Sequence, residues 1–245
     1  MPTKEWYKDW FNSPFYHKLY FERDEREAQQ FIENLLRHLQ PAPGSRLLDV
    51  ACGRGRHSKF IASKGFDVTG IDISSASIQF AKQFETENLH FYQHDMRLPA
   101  WINYFNYAFN FFTSFGYFYT RREHDDAIRT LAQSLKPSGM IMIDYLNVHY
   151  VEDRLVHNEV KMIEDTRYEI HRWQDEDHFF KKIIIADPEL EKPMEFNERV
   201  SKFSLGDFTD MFSYQKMQVV EVFGDYALSR YDMRKTPRMI VLAKK

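Results

Sequence analysis

The chain has 245 residues, enough for one large α/β core but not for two domains of ordinary size. It is 43% hydrophobic and 28% charged, with nine glycines and nine prolines, a balance that excludes a disordered chain. A formal net charge of -3 and a pI near 6.4 give no overall pull towards phosphate backbones or anionic lipid. The single cysteine, Cys52, rules out an intramolecular disulfide and a zinc site built on several thiolates, so no metal is expected. No apolar run approaches the roughly 18 residues that span a bilayer, and Met1-Pro2-Thr3-Lys4-Glu5-Trp6 lacks a signal-peptide pattern. The reading is a cytoplasmic protein without a membrane partner.

Residues 6 to 21 are crowded with aromatics (Trp6, Tyr7, Trp10, Phe11, Phe15, Tyr16, Tyr20, Phe21) in a pattern that is not cleanly helical. A helix is predicted from Arg26 to Gln40, with Phe31, Ile32, Leu35, Leu36 and Leu39 on one face and Pro41-Ala42-Pro43-Gly44 ending it. From Arg46 to Lys136 strand-length apolar runs alternate with helical stretches, the signature of βα units feeding a parallel sheet. The predicted strands are Arg46 to Val50, Asp67 to Ile71, Leu89 to Gln93 and Tyr104 to Phe111, with helices starting near Arg56, Ser74 and His124. A fifth strand, Met140 to Tyr145, follows the turn Pro137-Ser138-Gly139. The alternation then breaks into three predicted strands without helices, Val160 to Trp173, His178 to Ala186 and Phe196 to Phe203, read as an inserted antiparallel meander. Ser204 with Asp207 three residues on marks a helix start, and strands Met217 to Phe223 and Arg238 to Ala243 close the sheet.

The chemistry concentrates in Leu47-Leu48-Asp49-Val50-Ala51-Cys52-Gly53-Arg54-Gly55-Arg56-His57, a buried strand running into a tight turn and a helix. Glycines 53 and 55 let backbone approach a ligand where a Cβ would collide, and the helix start favours an anionic or polar group. Asp72 ends the second strand 23 residues after Asp49, where a carboxylate can accept hydrogen bonds from a ribose diol. Asp95 follows by another 23 residues at the end of the third strand and could accept from an exocyclic adenine amine. All three acids would project from the carboxyl ends of neighbouring parallel strands, the rim where open α/β sheets bind ligands. Against a nicotinamide-dependent oxidoreductase, the third glycine of G-x-G-x-x-G is replaced by Ser58; no Gly-Lys-Ser/Thr triplet supports a P-loop. A noncatalytic nucleotide-binding or scaffold protein remains the third alternative.

These blocks resemble those of class I S-adenosylmethionine-dependent methyltransferases, in a small-molecule branch, from about Arg26 onward. The glycine block is similar to the family's first motif, with Ala51 standing where glycine is common. Gly70-Ile71-Asp72-Ile73-Ser74 resembles the ribose-binding segment, His94-Asp95-Met96-Arg97 the adenine-binding one, and Phe112-Thr113-Ser114-Phe115-Gly116-Tyr117-Phe118 the loop facing the transferred methyl. Asn106 occupies a position where the family's fourth strand often carries an acid. The resemblance implies a single Rossmann-like domain over 1–245: a doubly wound, mostly parallel seven-stranded sheet with an antiparallel last strand. An aromatic lid (1–25) and the antiparallel β insertion (151–204) complete it.

The implied cofactor is S-adenosylmethionine, with S-adenosylhomocysteine as product, held by Tyr20, Asp49, Ala51, Cys52, Gly53, Gly55, Asp72, Ile73, Asp95, Met96 and Phe112. Tyr16, Phe115, Tyr117, Tyr145 and Asn147 would face the acceptor, with His149 as candidate base just past strand five. Arg23 is a candidate partner for the cofactor carboxylate. The acceptor is an O or N atom of a small molecule; nucleic acid is disfavoured because Arg121-Arg122 is no basic stripe. The insertion is expected to roof the pocket or to serve as a homodimer contact.

Overall fold

A break at Ser13 explains why the N-terminal aromatics show no single period. The computed structural model describes residues 6–20 and 25–245; Phe21 and Arg23 lie outside the described residues. Two short helices, α1 (Trp6–Asn12) and α2 (Pro14–Tyr20), meet at Ser13, whose hydroxyl accepts the Phe15 N–H at 3.2 Å. Pro14 needs no backbone donor in that first turn.

Helix α3 (Glu25–Leu39) then turns Phe31, Ile32 and Leu35 into the core. The predicted alternation follows as β1 (Arg46–Val50), α4 (Arg56–Ser63), β2 (Asp67–Asp72), α5 (Ser75–Ala81), β3 (Leu89–Gln93), β4 (Phe105–Asn110), α6 (Arg121–Ser134) and β5 (Leu135–Leu146). Helix α6 starts before His124 because Thr120 and Glu123 form a capping box. The Pro137-Ser138-Gly139 turn sits inside β5 as an irregularity, where pairing jumps from Phe105 with Leu135 to Tyr107 with Met140. After α7 (Val148–Glu152) and the insertion come α8 (Leu205–Tyr214), with its Ser204/Asp207 capping box, β10 (Gln218–Phe223) and β11 (Arg238–Lys244).

The seven-stranded sheet has the order β10-β11-β5-β4-β1-β2-β3. Strands β3, β2, β1, β4 and β5 run parallel, and β11 is antiparallel to both its neighbours. One face buries Phe31, Ile61 and Ile78 from α3, α4 and α5; the other buries Ile128, Leu131, Phe208 and Phe212 from α6 and α8. From β1 the chain winds to β2 and β3 on one side and to β4 and β5 on the other. A crevice therefore opens at the carboxyl ends of β1 and β4.

The insertion has four strands, not the three predicted: β6 (Asn158–Ile163), β7 (Thr166–Gln174), β8 (His178–Ala186) and β9 (Met194–Ser201), paired in that order. The predicted strand Val160 to Trp173 is a hairpin turning at Glu164-Asp165, and β9 ends at Ser201 instead of Phe203. Tyr168, Ile170, Ile183 and Ile185 share one core with α1. Trp10, fully buried, packs on Phe196 and donates its indole N–H to Glu198 Oε1 at 2.7 Å. Among the described residues no helix is long and apolar enough to cross a membrane.

Candidate active site

Strand β1 delivers the loop Ala51-Cys52-Gly53-Arg54-Gly55 to the crevice with three left-handed residues: Ala51 (φ 59), Gly53 (φ 55) and Gly55 (φ 77). For Ala51 that conformation costs about 1–2 kcal/mol, the physical reason glycine suits the position. The two glycines act differently. Gly53 meets open space where a Cβ would project, and its N–H donates to Asp72 Oδ2 at 2.8 Å. Gly55 lies so close to Phe91 that a Cβ would sit 2.5 Å from the ring; it serves helix–sheet packing and lines neither cavity described below.

Ser58, where a dinucleotide loop would have its third glycine, donates its hydroxyl to Asp49 Oδ2 at 2.5 Å. Asp49 is only 2% exposed and lies outside the cavity walls. Burial pushes its carboxyl up to about 7, with the Asp72 charge adding and the Ser58 hydroxyl opposing. A carboxyl raised in the folded state stabilises the fold below its unfolded pKa and loses that contribution as pH rises through the folded value. The stability of wild type relative to Asp49→Asn should therefore fall between about pH 4 and 7, by no more than about 1.4 kcal/mol per unit. The difference cancels the opposite slope from His17 and His124, which burial lowers to about 4. Urea unfolding of both proteins across that range measures it; a difference that stays constant with pH would show Asp49 ionised throughout.

Asp72, at the end of β2, is clamped by two backbone donors: Gly53 N–H on Oδ2 at 2.8 Å and Ser74 N–H on Oδ1 at 2.7 Å. Burial raises its pKa while those donors pull it down. Asp95, one strand further, grips the Arg97 guanidinium, with Arg97 Nη2 at 2.6 Å from Oδ2 and Arg97 Nη1 at 2.7 Å from Glu123. Burial alone would raise the Asp95 carboxyl; the hydrogen bonds and charge of Arg97 outweigh it and keep Asp95 ionised.

Both acids face a cavity of about 110 Å³. Ala51, Gly53, Ile73, Met96 and Phe112 line it with them, and Tyr7, Phe11, Tyr16 and Tyr117 form an aromatic wall. That wall is continuous: the Tyr117 ring lies 5.4 Å from both Trp6 and Phe11, and Phe11 lies 5.0 Å from Tyr16. Asn12 Oδ1 accepts the Ser74 hydroxyl at 2.8 Å, tying α1 to the head of α5 beside Asp72. A second, more open groove of about 950 Å³ continues past the glycine loop, sharing Tyr16, Ala51, Gly53, Phe112 and Ser114 with the first. Tyr20 and Cys52 line this groove only. The Cys52 thiol is buried, which raises its pKa well above the ordinary value and leaves it unreactive.

Four side chains expected at the acceptor stand in neither wall. Phe115 is buried against His124, Phe203 and Phe208. Tyr145 is fully buried and donates to the Ser201 carbonyl at 2.5 Å, pinning the insertion to the sheet. Asn147 holds the 232–236 loop through the Thr236 carbonyl at 2.7 Å and the Asp232 carbonyl at 3.0 Å. His149 sits on α7 with Nδ1 3.1 Å from Glu152. Asn106 is also remote: it lies near the start of β4, accepting Arg46 N–H at 3.0 Å and Lys136 Nζ at 3.2 Å.

Sequence reasoning missed Asp144, completely buried on β5. Its Oδ2 accepts the Phe112 N–H at 2.8 Å and the Tyr226 hydroxyl at 3.2 Å, and its Oδ1 lies 2.6 Å from Arg238 Nη2. Arg238 also donates to the Thr113 hydroxyl at 2.8 Å. Burial and the neighbouring Asp144 charge hold the Tyr226 phenol well above its usual range, so it stays a donor. This network props a loop whose Phe112 (φ 56) and Thr113 (φ 55) are both left-handed, a costly conformation for a β-branched residue.

Bare backbone at Gly53, a clamped carboxylate, an ionised acid one strand over and an aromatic wall make a donor set that fits an adenosyl sulfonium. Fold and site together define a Rossmann-like, S-adenosylmethionine-binding class of domain. Residues 20–213 match the model of a family described as "Methyltransferase domain", and the chain belongs to that family. A putative methyltransferase of Bacillus subtilis is 34% identical over 102 residues, covering 40% of this chain and 41% of the relative. A dTDP-3-amino-3,4,6-trideoxy-alpha-D-glucopyranose N,N-dimethyltransferase of Streptomyces venezuelae is 32% identical over 114 residues, 46% of this chain and 47% of the relative. The chain thus matches less than half the length of these two curated relatives. Among solved structures, an S-adenosylmethionine-dependent methyltransferase from Clostridium acetobutylicum shares the fold at TM-score 0.78 and 16% identity, covering 94% of this chain and 96% of that one.

Proposed function

We propose that the chain is an S-adenosylmethionine-dependent methyltransferase acting on an O or N atom of a small-molecule acceptor. The observation that carries this reading is Asp72, fixed by Gly53 and Ser74 while forming the cavity wall, with ionised Asp95 beside it. When bound, the cofactor supplies a methyl group on a sulfonium, open to in-line displacement. Asp72 accepts from the ribose diol and Asp95 from the adenine amine. Gly53 leaves space for close backbone approach, and Ala51, Ile73, Met96 and Phe112 pack around the bound group. Tyr7, Phe11, Tyr16 and Tyr117 act as a lid that excludes water and offers π faces to positive charge. His149 is given no role as base, since it pairs with Glu152 outside both walls. A small-molecule acceptor agrees with the amino-sugar substrate in the name of the Streptomyces relative. A homodimer would form on the free edge of β6, where Val160 and Met162 are exposed.

Thermal unfolding with S-adenosylhomocysteine and with NADH separates this reading from an oxidoreductase. At about one hundred times its Kd, S-adenosylhomocysteine should stabilise the protein by about 2.7 kcal/mol, with no shift from NADH. Stabilisation by NADH alone would overturn the proposal.

A further inference from the structure

The second groove carries a charge opposite in sign to that of the chain as a whole. Arg54, Arg56 and Lys59 line it together with His17 and His57, and no carboxylate belongs to its wall among the described residues. The whole chain is net negative, so this is a local concentration of positive charge against the global balance.

All three of the arginine and lysine cations rest on aromatic faces, Arg56 at 5.8 Å from the Phe112 ring centroid. The Arg54 guanidinium lies 4.7 Å from the Phe80 ring centroid and Lys59 Nζ lies 3.6 Å from that of Phe84. A π face orients a cation without neutralising it, so the Arg54 and Lys59 charges remain available to an anion. His17 Nε2 is buried on the same wall without a hydrogen-bond partner, its ring kept neutral by burial and by Arg54. An unpaired polar atom in such a place is costly unless a ligand or water satisfies it.

The position matters as much as the charge. The groove shares Ala51, Gly53, Phe112 and Ser114 with the cavity that holds Asp72 and Asp95, so a molecule in it adjoins whatever that cavity holds. The methionine end of the cofactor is zwitterionic and neutralises at most one of the lining cations, while its sulfonium adds a further positive charge.

We propose that the acceptor docks in this groove through a phosphate group on Arg54 and Lys59, which makes the substrate a phosphate-bearing small molecule. Guanidinium and ammonium groups are the side chains that recognise phosphate, the first through paired donors and the second as a point charge. This assignment rests on the methyltransferase reading above.

The test titrates pyrophosphate into the protein with and without saturating S-adenosylhomocysteine, by calorimetry. Pyrophosphate should bind the S-adenosylhomocysteine complex at millimolar concentration or below, more weakly as ionic strength rises, and about tenfold more weakly in Lys59→Gln and in Arg54→Gln. Succinate should bind more weakly than pyrophosphate. No pyrophosphate binding to the complex, equal binding by wild type and both variants, or binding of a single-stranded RNA oligomer without binding of pyrophosphate would each overturn the proposal. If S-adenosylhomocysteine itself fails to bind while the pyrophosphate response survives, the anion site stands and the methyltransferase reading falls.

Discussion

Asp72→Ala is expected to weaken S-adenosylhomocysteine binding by about a hundredfold or more, equivalent to roughly 3 kcal/mol. On the proposed reading the substitution removes the acceptor for the ribose hydroxyls; it also releases the Gly53 and Ser74 N–H groups, which converge on the two oxygens of that carboxylate. Asp72→Asn separates the two effects. Its amide oxygen still accepts one N–H, but its amide nitrogen meets the other donor-to-donor, so its affinity should fall between wild type and alanine. Calorimetric titration gives the affinities, and the melting temperatures of the unliganded proteins show whether the fold persists. An alanine variant that folds and binds as wild type does would remove the adenosyl group from this crevice.

The second large effect is on stability. Asp144→Ala should cost about 3–5 kcal/mol, because it leaves the largely buried Arg238 guanidinium without its counter-ion. It also strands the Phe112 N–H and the Tyr226 hydroxyl. Replacing both partners, Asp144→Leu with Arg238→Met, removes the unpaired charge and should restore most of the loss. The strained loop would still lack its prop, so the double variant should unfold near the wild-type denaturant concentration yet bind S-adenosylhomocysteine more weakly. Wild-type affinity in that variant would show that the network serves stability alone.

The glycine loop, the acid ending β2 and the acid just past β3 were legible because their chemistry is local, each set by a few consecutive residues at the carboxyl end of a parallel strand. The Asp144 network was not. Its partners are brought together by the antiparallel pairing of β5 with β11, which places Asp144 opposite Ile240 and Arg238 two residues away. The expected acceptor residue Tyr145 is its immediate neighbour. Successive side chains on a strand point to opposite faces, so a choice one residue along aims into the core beneath the insertion instead of at the loop. The hairpin in the insertion was hidden for another reason. Its turn, Glu164-Asp165, lacks the Asn-Gly or Gly signal of tight hairpins, although Glu164 adopts φ 52, and apolar residues continue through both arms. Phe115 shows the limit of reading aromatics by position in a loop, since large apolar side chains are drawn to the core.

The indole of Trp10 joins two parts of the chain separated by 188 positions, for its hydrogen bond ends on Glu198 and its ring lies against Phe196. Helix α1 thereby belongs to the inserted sheet as much as to the segment that precedes α3. The roof over the cavity and the sheet behind it share one buried core, so the two should open as one cooperative unit. Any ligand that holds the roof closed spends part of its affinity on a structure well beyond its own contacts, and amide exchange in β8 and β9 should slow along with that in α1.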